Sequence, residues 1–422
     1  MPSILTLSAH IEVSSSVADH FMTSIEFAPS YSNPAGSPIR ELFPFLSRPG
    51  MISFAGGYPS PSLFDSEGLR DAAQHALADS ATALQYGPTE GSPALRKVLS
   101  ALCATRGIIC EDSQIVVTTG SQQAFDLLVR IFVAPGTAVF VESPAYPAAI
   151  QALQLAQARI EEIPVDQDGL NVEYLRERLK AKSPMDRPKL LYTVPTFSNP
   201  CGTLLTQERR EALVSLAVQY NFFIIEDDPY GELTFESRMP EPLFVVGQRL
   251  AGKANPVIYL SSLSKTVAPA LRVGWMTAPA DVLRRVVIAK QTADLCTSPL
   301  AQSVATQYML SGRYAPTVEH ARREYRGRVE AMMNALEKQI GGEISFVRPK
   351  GGMFLWVDYS RPISPQKLFK QAIDRGILYV PGSAFYVNTN DAKAMRLSYA
   401  APSLDDIPTG VKRLAEAMHA VV

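Results

Sequence analysis

The sequence predicts an α/β protein whose larger part is a mostly parallel sheet sandwiched by helices, followed by a smaller α+β domain. Two observations support this fold class. Between about residues 114 and 279, short apolar runs alternate with longer stretches of helical spacing. After about residue 300 the pattern changes to a long charged helix and then to strand-like segments. A chain of 422 residues also exceeds the usual size of a single core, so two domains are expected.

The apolar runs are the candidate strands of the larger domain. Val, Ile, Leu, Tyr and Phe occupy them continuously rather than at every second position, which favours strands covered on both faces. A stretch of helical spacing, "LTQERREALVSLAVQYN", lies between two of the runs and provides a crossover. The runs are "QIVVTTG", "TAVFVESP", "KLLYTVPTFSNP", "FFIIEDDPY", "VIYLSSLSK" and "RVGWMTAP".

The smaller domain and an N-terminal arm flank this region. The helix "YAPTVEHARREYRGRVEAMMNALEKQIG" leads into the candidate strands "GGMFLWVDY", "GILYVPGSAFY" and "AMRLSYA". The segment "YSNPAGSPIRELFPFLSRPGMISFAGGYPSPSLF" is rich in Pro and Gly but carries many apolar side chains, which favours an ordered arm. We expect an arm in residues 1–60, whose latter part packs on the small domain and over the active site. A large domain in residues 61–310 and a small domain in residues 311–422 follow.

Composition narrows the class of partner to small molecules. A formal net charge of −1 without a long basic run argues against nucleic-acid and membrane partners, and 46% hydrophobic residues argue against general disorder. No run approaches 18 apolar residues, and the N-terminal residues 1–21 lack the basic start of a cleaved signal, so a cytoplasmic protein is expected. The cysteines lack the paired spacing of a metal site and are interpreted as reduced thiols: Cys103, Cys110, Cys201 and Cys296.

Polar residues cluster where the apolar runs end. In an open, mostly parallel sheet the ligand crevice lies at the carboxyl ends of the strands, so these residues are expected to converge there. Folding alone does not require several polar groups to meet at one place. The residues concerned are Gly120, Ser121, Asn199, Asp227, Tyr230, Ser262, Ser264 and Lys265.

A cofactor with an aldehyde, a phosphate and a pyridine nitrogen would use these groups. Its aldehyde requires a lysine that forms a Schiff base, which Lys265 provides, and its protonated ring nitrogen requires a carboxylate, which Asp227 provides. Its phosphate requires hydroxyls, an arginine and the free N–H groups of a strand-to-helix junction. The candidates for the phosphate are Ser262, Ser264 and Arg272 in "SSLSKTVAPALRVGW", and Gly120, Ser121 and Gln122 in "TTGSQQAF".

Motifs of this kind continue through the chain, in the order "SPIRELF", "ISFAGGYPSPSLF", "QYGPTEGSPALR", "VTTGSQQAFDLL", "ESPAYP", "VPTFSNPCGT", "EDDPYGEL", "SLSKTVAPALRVGW", "PKGGMFLW" and "MRLSYA". Together they resemble pyridoxal-phosphate enzymes of the aspartate aminotransferase superfamily, class I/II and fold type I. Within that superfamily the chain is similar to the branch containing 2-aminoadipate and kynurenine aminotransferases, over about residues 31 to 420. The resemblance implies pyridoxal 5'-phosphate as cofactor, a seven-stranded large sheet, and a homodimer whose subunits share the active sites.

The resemblance also implies a role for each cofactor-binding residue. Tyr146 would stack on the ring, Asn199 and Tyr230 would hydrogen-bond the ring hydroxyl oxygen, and Asp227 would bind the pyridine nitrogen. Lys265 would be both the Schiff-base lysine and the general base that moves the substrate proton. The implied phosphate ligands are Ser121, Gln122, Ser262, Ser264 and Arg272, together with Tyr86 from the second subunit.

Substrate contacts are implied in the same way. Arg396 would clamp the α-carboxylate bidentately, and Asn199 would brace that carboxylate. Arg40 in "GSPIRELF" would face the distal carboxylate of an acidic substrate such as 2-aminoadipate or glutamate. The glycines of "AGGYP", among them Gly57, would let the backbone of the arm approach the substrate. At position 270, two residues before the phosphate-binding Arg272, this sequence has alanine where many relatives have glycine. The difference affects only the geometry of that loop.

Two matters stay open at the level of sequence. Asp228 is an alternative to Asp227, although the spacing of three residues to Tyr230 favours Asp227.

The implied reaction is ping-pong transfer of an amino group from an L-amino acid to a 2-oxo acid such as 2-oxoglutarate. Aromatic or branched-chain transfer without an acidic preference, β-elimination and decarboxylation are alternatives. A transcription regulator with a cofactor-sensing domain is a further alternative. It would need a DNA-binding domain before the matching region, where the sequence has only about 30 residues, which are not basic.

Overall fold

The computed structural model describes residues 26–34, 36–388 and 392–421. The chain divides into two units, residues 1–35 and 36–422. In the first unit, the described residues contain one turn of 3-10 helix, Pro29–Tyr31. The second unit contains every predicted site residue, and the domain boundaries expected after residues 60 and 310 fall inside it and stay predictions. Residues 1–21, in which a cleaved signal was considered, lie outside the described residues.

The strands follow most of the predicted apolar runs. The run "GILYVPGSAFY" is an exception, because it divides into two short strands that join different sheets. Strands β1, β4, β5 and β10 were not among the predicted runs. In chain order the strands are β1 Ile52–Ser53, β2 Ile115–Thr118, β3 Ala138–Ser143, β4 Arg159–Asp166, β5 Gly169–Leu170, β6 Leu190–Thr193, β7 Phe223–Asp227, β8 Val257–Ser262, β9 Gly274–Thr277, β10 Ile344–Phe346, β11 Phe354–Tyr359, β12 Ile377–Leu378, β13 Val380–Pro381 and β14 Ala394–Ser398.

The two stretches quoted above as helical both form helices, α8 (Gln207–Tyr220) and α12 (Tyr314–Ile340). Polar side chains cap several helix starts: the Thr206 hydroxyl accepts the N–H of Arg209 at the start of α8, and left-handed Asn221 ends that helix. The helices are α1 Phe43–Leu46, α2 Ser66–Ala78, α3 Ser80–Ala83, α4 Pro93–Ala104, α5 Ser121–Phe132, α6 Pro147–Leu155, α7 Val172–Lys180, α8 Gln207–Tyr220, α9 Leu243–Ala251, α10 Ala280–Ala293, α11 Pro299–Leu310, α12 Tyr314–Ile340, α13 Pro365–Asp374 and α14 Asp406–Ala420.

The largest sheet in the described residues has eight strands, in the order β2-β9-β8-β7-β6-β3-β4-β5. Strands β8, β7, β6, β3 and β4 run parallel to one another. Strand β9 is antiparallel to both of its neighbours, β2 and β8, and the two-residue β5 is antiparallel to β4. The mostly parallel sheet of seven strands is therefore present, with β5 added at one edge.

Helices cover both faces of this sheet, which explains why its strands are apolar throughout. In β3, Val139 and Val141 face a core cluster that includes side chains of α5 and α12. Phe140, between them, faces a second cluster that includes side chains of α7 and α8. Because successive side chains of a strand point to opposite faces, a strand between two helical layers needs apolar residues at every position.

The smaller sheet, β10-β11-β14-β13, is antiparallel. The arm is attached beside it, because Ile52 of β1 pairs in parallel with Ile377 of β12, and the N–H of Phe54 donates to the carbonyl of Leu378 at 2.7 Å. These bonds bring the glycines that follow β1 towards the carboxyl ends of the large sheet. Among the described helices, none combines the length and the apolar character needed to cross a membrane.

Candidate active site

The carboxyl ends of β6, β7 and β8 meet the arm and the small sheet at a cavity of about 250 Å³, here called the central cavity. Strand ends, the arm and β14 all contribute side chains to it, so residues far apart in the sequence share one wall. The predicted site residues that line it are Gly57, Gly120, Ser121, Gln122, Tyr146, Asn199, Asp227, Tyr230, Ser262, Ser264, Lys265, Arg272 and Arg396.

Lys265 lies in the 3-10 turn that directly follows β8, with its amine at the central cavity. The Nζ atom donates a hydrogen bond to the carbonyl oxygen of Gly57 in the arm at 2.8 Å. Burial, together with the positive charges of Arg396 and Arg272, lowers the pKa of the Lys265 ammonium from 10.5 to about 8. Near neutral pH this amine is therefore neutral, and so nucleophilic, far more often than an ordinary lysine.

Asp227 ends β7 and has one paired and one unpaired oxygen. The Tyr192 hydroxyl donates to its Oδ2 atom at 2.8 Å. The buried Oδ1 atom has no hydrogen-bond partner among the residues that the structure describes. Burial raises the pKa of Asp227 from 3.8 to about 6, against the hydrogen bond from Tyr192, which favours the charged form. An unpaired buried carboxylate oxygen beside a cavity indicates a cationic or N–H ligand.

The neighbouring carboxylate, Asp228, also has a buried Oδ1 without a partner among the described residues, but its charge is already paired with an arginine through Oδ2. It forms an ion pair with Arg106, and the Tyr259 hydroxyl lies 3.4 Å from its Oδ2 atom. It is buried and does not line the central cavity, whereas Asp227 does. Of the two carboxylates that the sequence left open, the geometry therefore favours Asp227 as the one that binds a ligand.

Backbone and side-chain donors form an anion cradle, defined by Gly120, Ser121, Gln122, Ser262, Ser264 and Arg272. Gly120 precedes the first turn of α5, where helix N–H groups are free to bind an anion. It has a φ of 79°, and a Cβ there would lie 2.5 Å from Nη2 of Arg272. Ser262 orders the other wall, since its Oγ accepts the N–H of Ser264 at 3.1 Å. The positive φ at position 120 therefore favours glycine, and a larger residue would displace the end of the Arg272 side chain.

Arg396 lies on β14, fully buried at the opposite wall of the central cavity. It donates to Oδ1 of Asn199 at 2.8 Å and to the carbonyl oxygen of Ala55 at 2.6 Å. The rings of Phe354 and Phe385 lie 4.4 and 5.2 Å from the guanidinium carbon. No carboxylate of the described chain pairs with it, and burial lowers the pKa of Arg396 to about 10. A buried guanidinium without a counter-ion is suited to bind the carboxylate of a ligand.

Two tyrosines line the cavity between these groups. Tyr146 precedes α6, and burial raises the pKa of its hydroxyl. Tyr230 follows Asp227 by three residues and packs edge-on against Phe354, with ring centroids 5.7 Å apart. Burial also raises the pKa of Tyr230, so both hydroxyls stay protonated and can donate hydrogen bonds at neutral pH.

Two predicted residues are not in the lining of the central cavity. The side chain of Tyr86 is 79% exposed on the single chain. Arg40 is exposed at the start of the 3-10 turn Arg40–Leu42. The structure thus brings all the other predicted residues together, while the roles of Tyr86 and Arg40 depend on a second subunit and on the position of the arm.

The structure adds lining residues that the sequence did not reveal. Tyr192 and Val194 lie within or just after β6, where an apolar run gave no reason to expect a site. The only signal at Tyr192 was a hydroxyl inside a buried strand, which requires a partner. The arm supplies an apolar wall, here meaning Ile39, Leu42, Phe43 and Leu46, with Leu378 of β12 beside it.

Pyridoxal phosphate fits the groups present. The anion cradle suits its phosphate, the unpaired Oδ1 of Asp227 suits its ring nitrogen, and the amine of Lys265 suits its aldehyde. No cluster of His, Cys, Asp or Glu in the described ranges could hold a metal ion. The fold and this site define a pyridoxal-phosphate-dependent enzyme of fold type I.

Comparison with known proteins identifies the family. The family described as aminotransferase class I and II matches residues 55–414. A 2-aminoadipate transaminase of Thermus thermophilus is 38% identical over 94% of this chain and 98% of its own length. A crystal structure of Pyrococcus horikoshii kynurenine aminotransferase has a TM-score of 0.87 and 38% identity, covering 93% of this chain and 96% of its own.

A third comparison, with the α-aminoadipate aminotransferase of Thermus thermophilus in complex with N-(5'-phosphopyridoxyl)-L-leucine, gives a TM-score of 0.85. That structure is 36% identical and covers 93% of this chain and 97% of its own. The chain belongs to the class I and II aminotransferases. It is a transaminase that uses pyridoxal phosphate, as its motifs implied.

Proposed function

We propose that this transaminase transfers the amino group of an L-amino acid to a 2-oxo acid such as 2-oxoglutarate by a ping-pong mechanism. The observation that carries the proposal is the placement of Arg396 and Lys265 on one cavity. Arg396 offers a buried guanidinium without a counter-ion for the α-carboxylate that amino and 2-oxo acids share. Lys265 offers an amine of lowered pKa beside it. One site can therefore hold donor and acceptor in turn.

When bound, pyridoxal phosphate supplies an aldehyde that takes up the amino group and a ring that withdraws electrons from the substrate's Cα. The chain's own residues hold and orient the reactants. The anion cradle binds the phosphate, and Asp227 presents its unpaired oxygen to the ring nitrogen and keeps it protonated. Lys265, whose pKa is about 8, accepts the proton from Cα and returns it during the transfer.

The apolar wall of the arm sets the range of side chains. Four arm residues and Leu378 offer only carbon atoms to the far end of a substrate, which suits aromatic and branched side chains. Arg40 belongs to the same arm segment and is exposed just outside the wall. We infer that acidic donors such as 2-aminoadipate and glutamate are bound when Arg40 turns to the cavity. The same site then accepts both kinds of donor.

A panel of amino donors with 2-oxoglutarate as acceptor tests the proposed reaction. Formation of glutamate in equal amount to the 2-oxo acid of each donor is the expected result. Release of ammonia or carbon dioxide instead would favour β-elimination or decarboxylation, which the same lysine and carboxylate can support. Activity with leucine and phenylalanine but none with 2-aminoadipate would favour an aromatic or branched-chain aminotransferase without acidic preference.

Arg40→Ala is expected to lower kcat/KM about ten- to a hundredfold for 2-aminoadipate and glutamate. A hydrogen bond to a charged group contributes about 1.5–3 kcal/mol, and an apolar side chain cannot use it. Leucine and phenylalanine should therefore change little. Steady-state kinetics with the four donors measure this. Arg48→Ala, which removes a second arginine of the arm that contacts Phe45, is the matched control. Equal losses for acidic and apolar donors would mean that Arg40 only holds the arm in place.

We further propose that the active unit is a homodimer in which Tyr86 completes the anion cradle of the partner subunit. The exposure of this side chain on the single chain leaves its hydroxyl available to a partner subunit, which supports the proposal. Tyr86→Phe is expected to weaken pyridoxal-phosphate binding about tenfold by removing one donor to a charged group. Tyr174→Phe, at another exposed tyrosine, is the control. Light scattering that shows a fully active monomer would contradict the proposal.

A further inference from the structure

The Tyr192 hydroxyl donates a hydrogen bond of 2.8 Å to Oδ2 of Asp227, and it lowers the pKa of this carboxylate more than the Ser121 hydroxyl does. Its side chain is 1% exposed, in the middle of β6, and its register partner on β7 is Ile225, two residues before Asp227. The two preceding positions of β6 are leucine. A phenylalanine would fill the same space, so packing alone does not explain the hydroxyl.

The ring of Tyr192 is held in a fixed position. It packs edge-on against Phe125 of α5, with ring centroids 4.7 Å apart and planes at 62°. Its hydroxyl therefore reaches Asp227 Oδ2 from a rigid support and cannot follow the carboxylate if that group rotates. The bond engages Oδ2 and leaves Oδ1 as the free oxygen.

Asp227 needs such a support because it lies between two cavities. Besides the central cavity, it lines a second cavity of about 240 Å³, which Gln122, Tyr146 and Tyr192 also border. A carboxylate without a fixed donor could turn towards either space. The hydroxyl of Tyr192 also favours the charged form of Asp227, against the burial that favours the neutral form.

We propose that Tyr192 is a positioning residue, which fixes the orientation and the charge of Asp227 for the ring nitrogen of the cofactor. This inference rests on the proposed role of Asp227 in the site. Tyr192 does not take part in the chemistry itself and acts only through the carboxylate. Its loss should therefore matter only while Asp227 is present.

The test uses Tyr192→Phe, which keeps the ring and removes the hydroxyl. The cofactor-free protein is titrated with pyridoxal 5'-phosphate, and we expect the Kd to rise about tenfold, as for the loss of a hydrogen bond to a charged group. In the holoenzyme kcat should fall by a similar factor, while KM for the amino donor changes little, because the substrate contacts of Arg396 are untouched. Thermal unfolding of both proteins checks that the fold is retained.

Tyr259→Phe provides a matched control on β8, which flanks β7 on the side opposite to β6. Tyr259 is equally buried and its hydroxyl lies 3.4 Å from Oδ2 of the neighbouring carboxylate, Asp228, which Arg106 already neutralises. We expect this variant to leave the Kd for pyridoxal phosphate unchanged. Similar changes in Kd for the two variants would overturn the proposal, because both would then report a general effect of losing a buried hydroxyl.

A double-mutant cycle separates positioning from packing. If Tyr192 acts through Asp227, the tenfold effect of Tyr192→Phe on Kd should vanish in the Asp227→Asn background. An equal effect in both backgrounds would overturn the proposal and leave the proposed function standing. Failure of the unaltered chain to bind pyridoxal phosphate at all would overturn the proposed function and this inference together.

Discussion

Lys265→Ala is expected to abolish transamination while leaving pyridoxal phosphate bound through the anion cradle. The variant loses the only amine that lines the central cavity in the described structure, and with it both the covalent attachment and the proton acceptor. The turnover number should fall to the limit of detection, whereas dialysis should remove the cofactor only slowly. Donor-dependent formation of glutamate and the equilibrium Kd for pyridoxal phosphate measure the two effects.

Chemical labelling gives this prediction an independent check. Borohydride reduction of the unaltered holoenzyme, followed by peptide mapping, should place the cofactor on Lys265. Lys253→Ala, which removes an exposed lysine in the loop before β8, should keep both the label and full activity. A label on another lysine, or substantial activity of Lys265→Ala, would show that the assignment is wrong.

Asp227→Asn is expected to have the second largest effect. Asparagine has the shape of aspartate but cannot neutralise a protonated ring nitrogen in a buried site. Loss of one partner from a buried ion pair costs about 3–5 kcal/mol, and about 1.4 kcal/mol corresponds to a factor of ten. The rate should therefore fall about 10²- to 10⁴-fold, with weaker cofactor binding and a retained fold. Single-turnover rates and cofactor titration measure this change.

Without the cofactor, the same substitution should increase the free energy of unfolding at high pH. Because burial raises the pKa of Asp227 from 3.8 to about 6, the folded state binds this proton more tightly than the unfolded state. The stability that the group contributes is present below about pH 4 and is lost as the pH rises through about 6. Unfolding of the cofactor-free Asp227→Asn protein should thus require up to about 3 kcal/mol more than that of the parent at pH 8, and no more at pH 4.

Asp228→Asn is the matched control for this position. It should lower thermal stability, because Arg106 would lose its buried partner, but it should leave the cofactor Kd nearly unchanged. The reverse result, with Asp228→Asn as the variant that loses the cofactor, would show that the choice between the two carboxylates is wrong.

The large sheet could be predicted from the sequence because its central strands are buried on both faces. Strand β8, for example, is buried at every residue and opens with four apolar residues in succession, "VIYL". Strand β4 was missed for the opposite physical reason: it lies near the edge of the sheet and carries "RIEEIPVD", a mostly half-exposed, charged segment. The run "GILYVPGSAFY" was wrongly expected to be one strand, because its apolar character does not show that Tyr379 separates pairing with β1 from pairing with β14.

The candidate site could be predicted where a polar residue interrupts an apolar pattern at a strand end, as at Asp227 and Lys265. The part that Tyr192 plays in the site could not be predicted. A tyrosine within an apolar strand gives the same sequence pattern whether it only fills the core or also donates a hydrogen bond to a site residue. The position of the Arg40 side chain could not be predicted either. Arg40 lies in a short 3-10 turn, and the direction in which its side chain points depends on how the arm packs. Residue type indicated the chemistry, and only tertiary structure decided which groups share the cavity.

The most direct test of the account is a single half-reaction. The purified holoenzyme is mixed with excess L-2-aminoadipate without a 2-oxo acid, and the amounts of 2-oxoadipate, ammonia and carbon dioxide are measured. We expect one 2-oxoadipate per subunit, no ammonia or carbon dioxide, and a loss of the yellow absorbance. Addition of 2-oxoglutarate should restore the absorbance and yield one glutamate per subunit. Continued release of product without an acceptor, or no loss of absorbance with any amino donor, would contradict it.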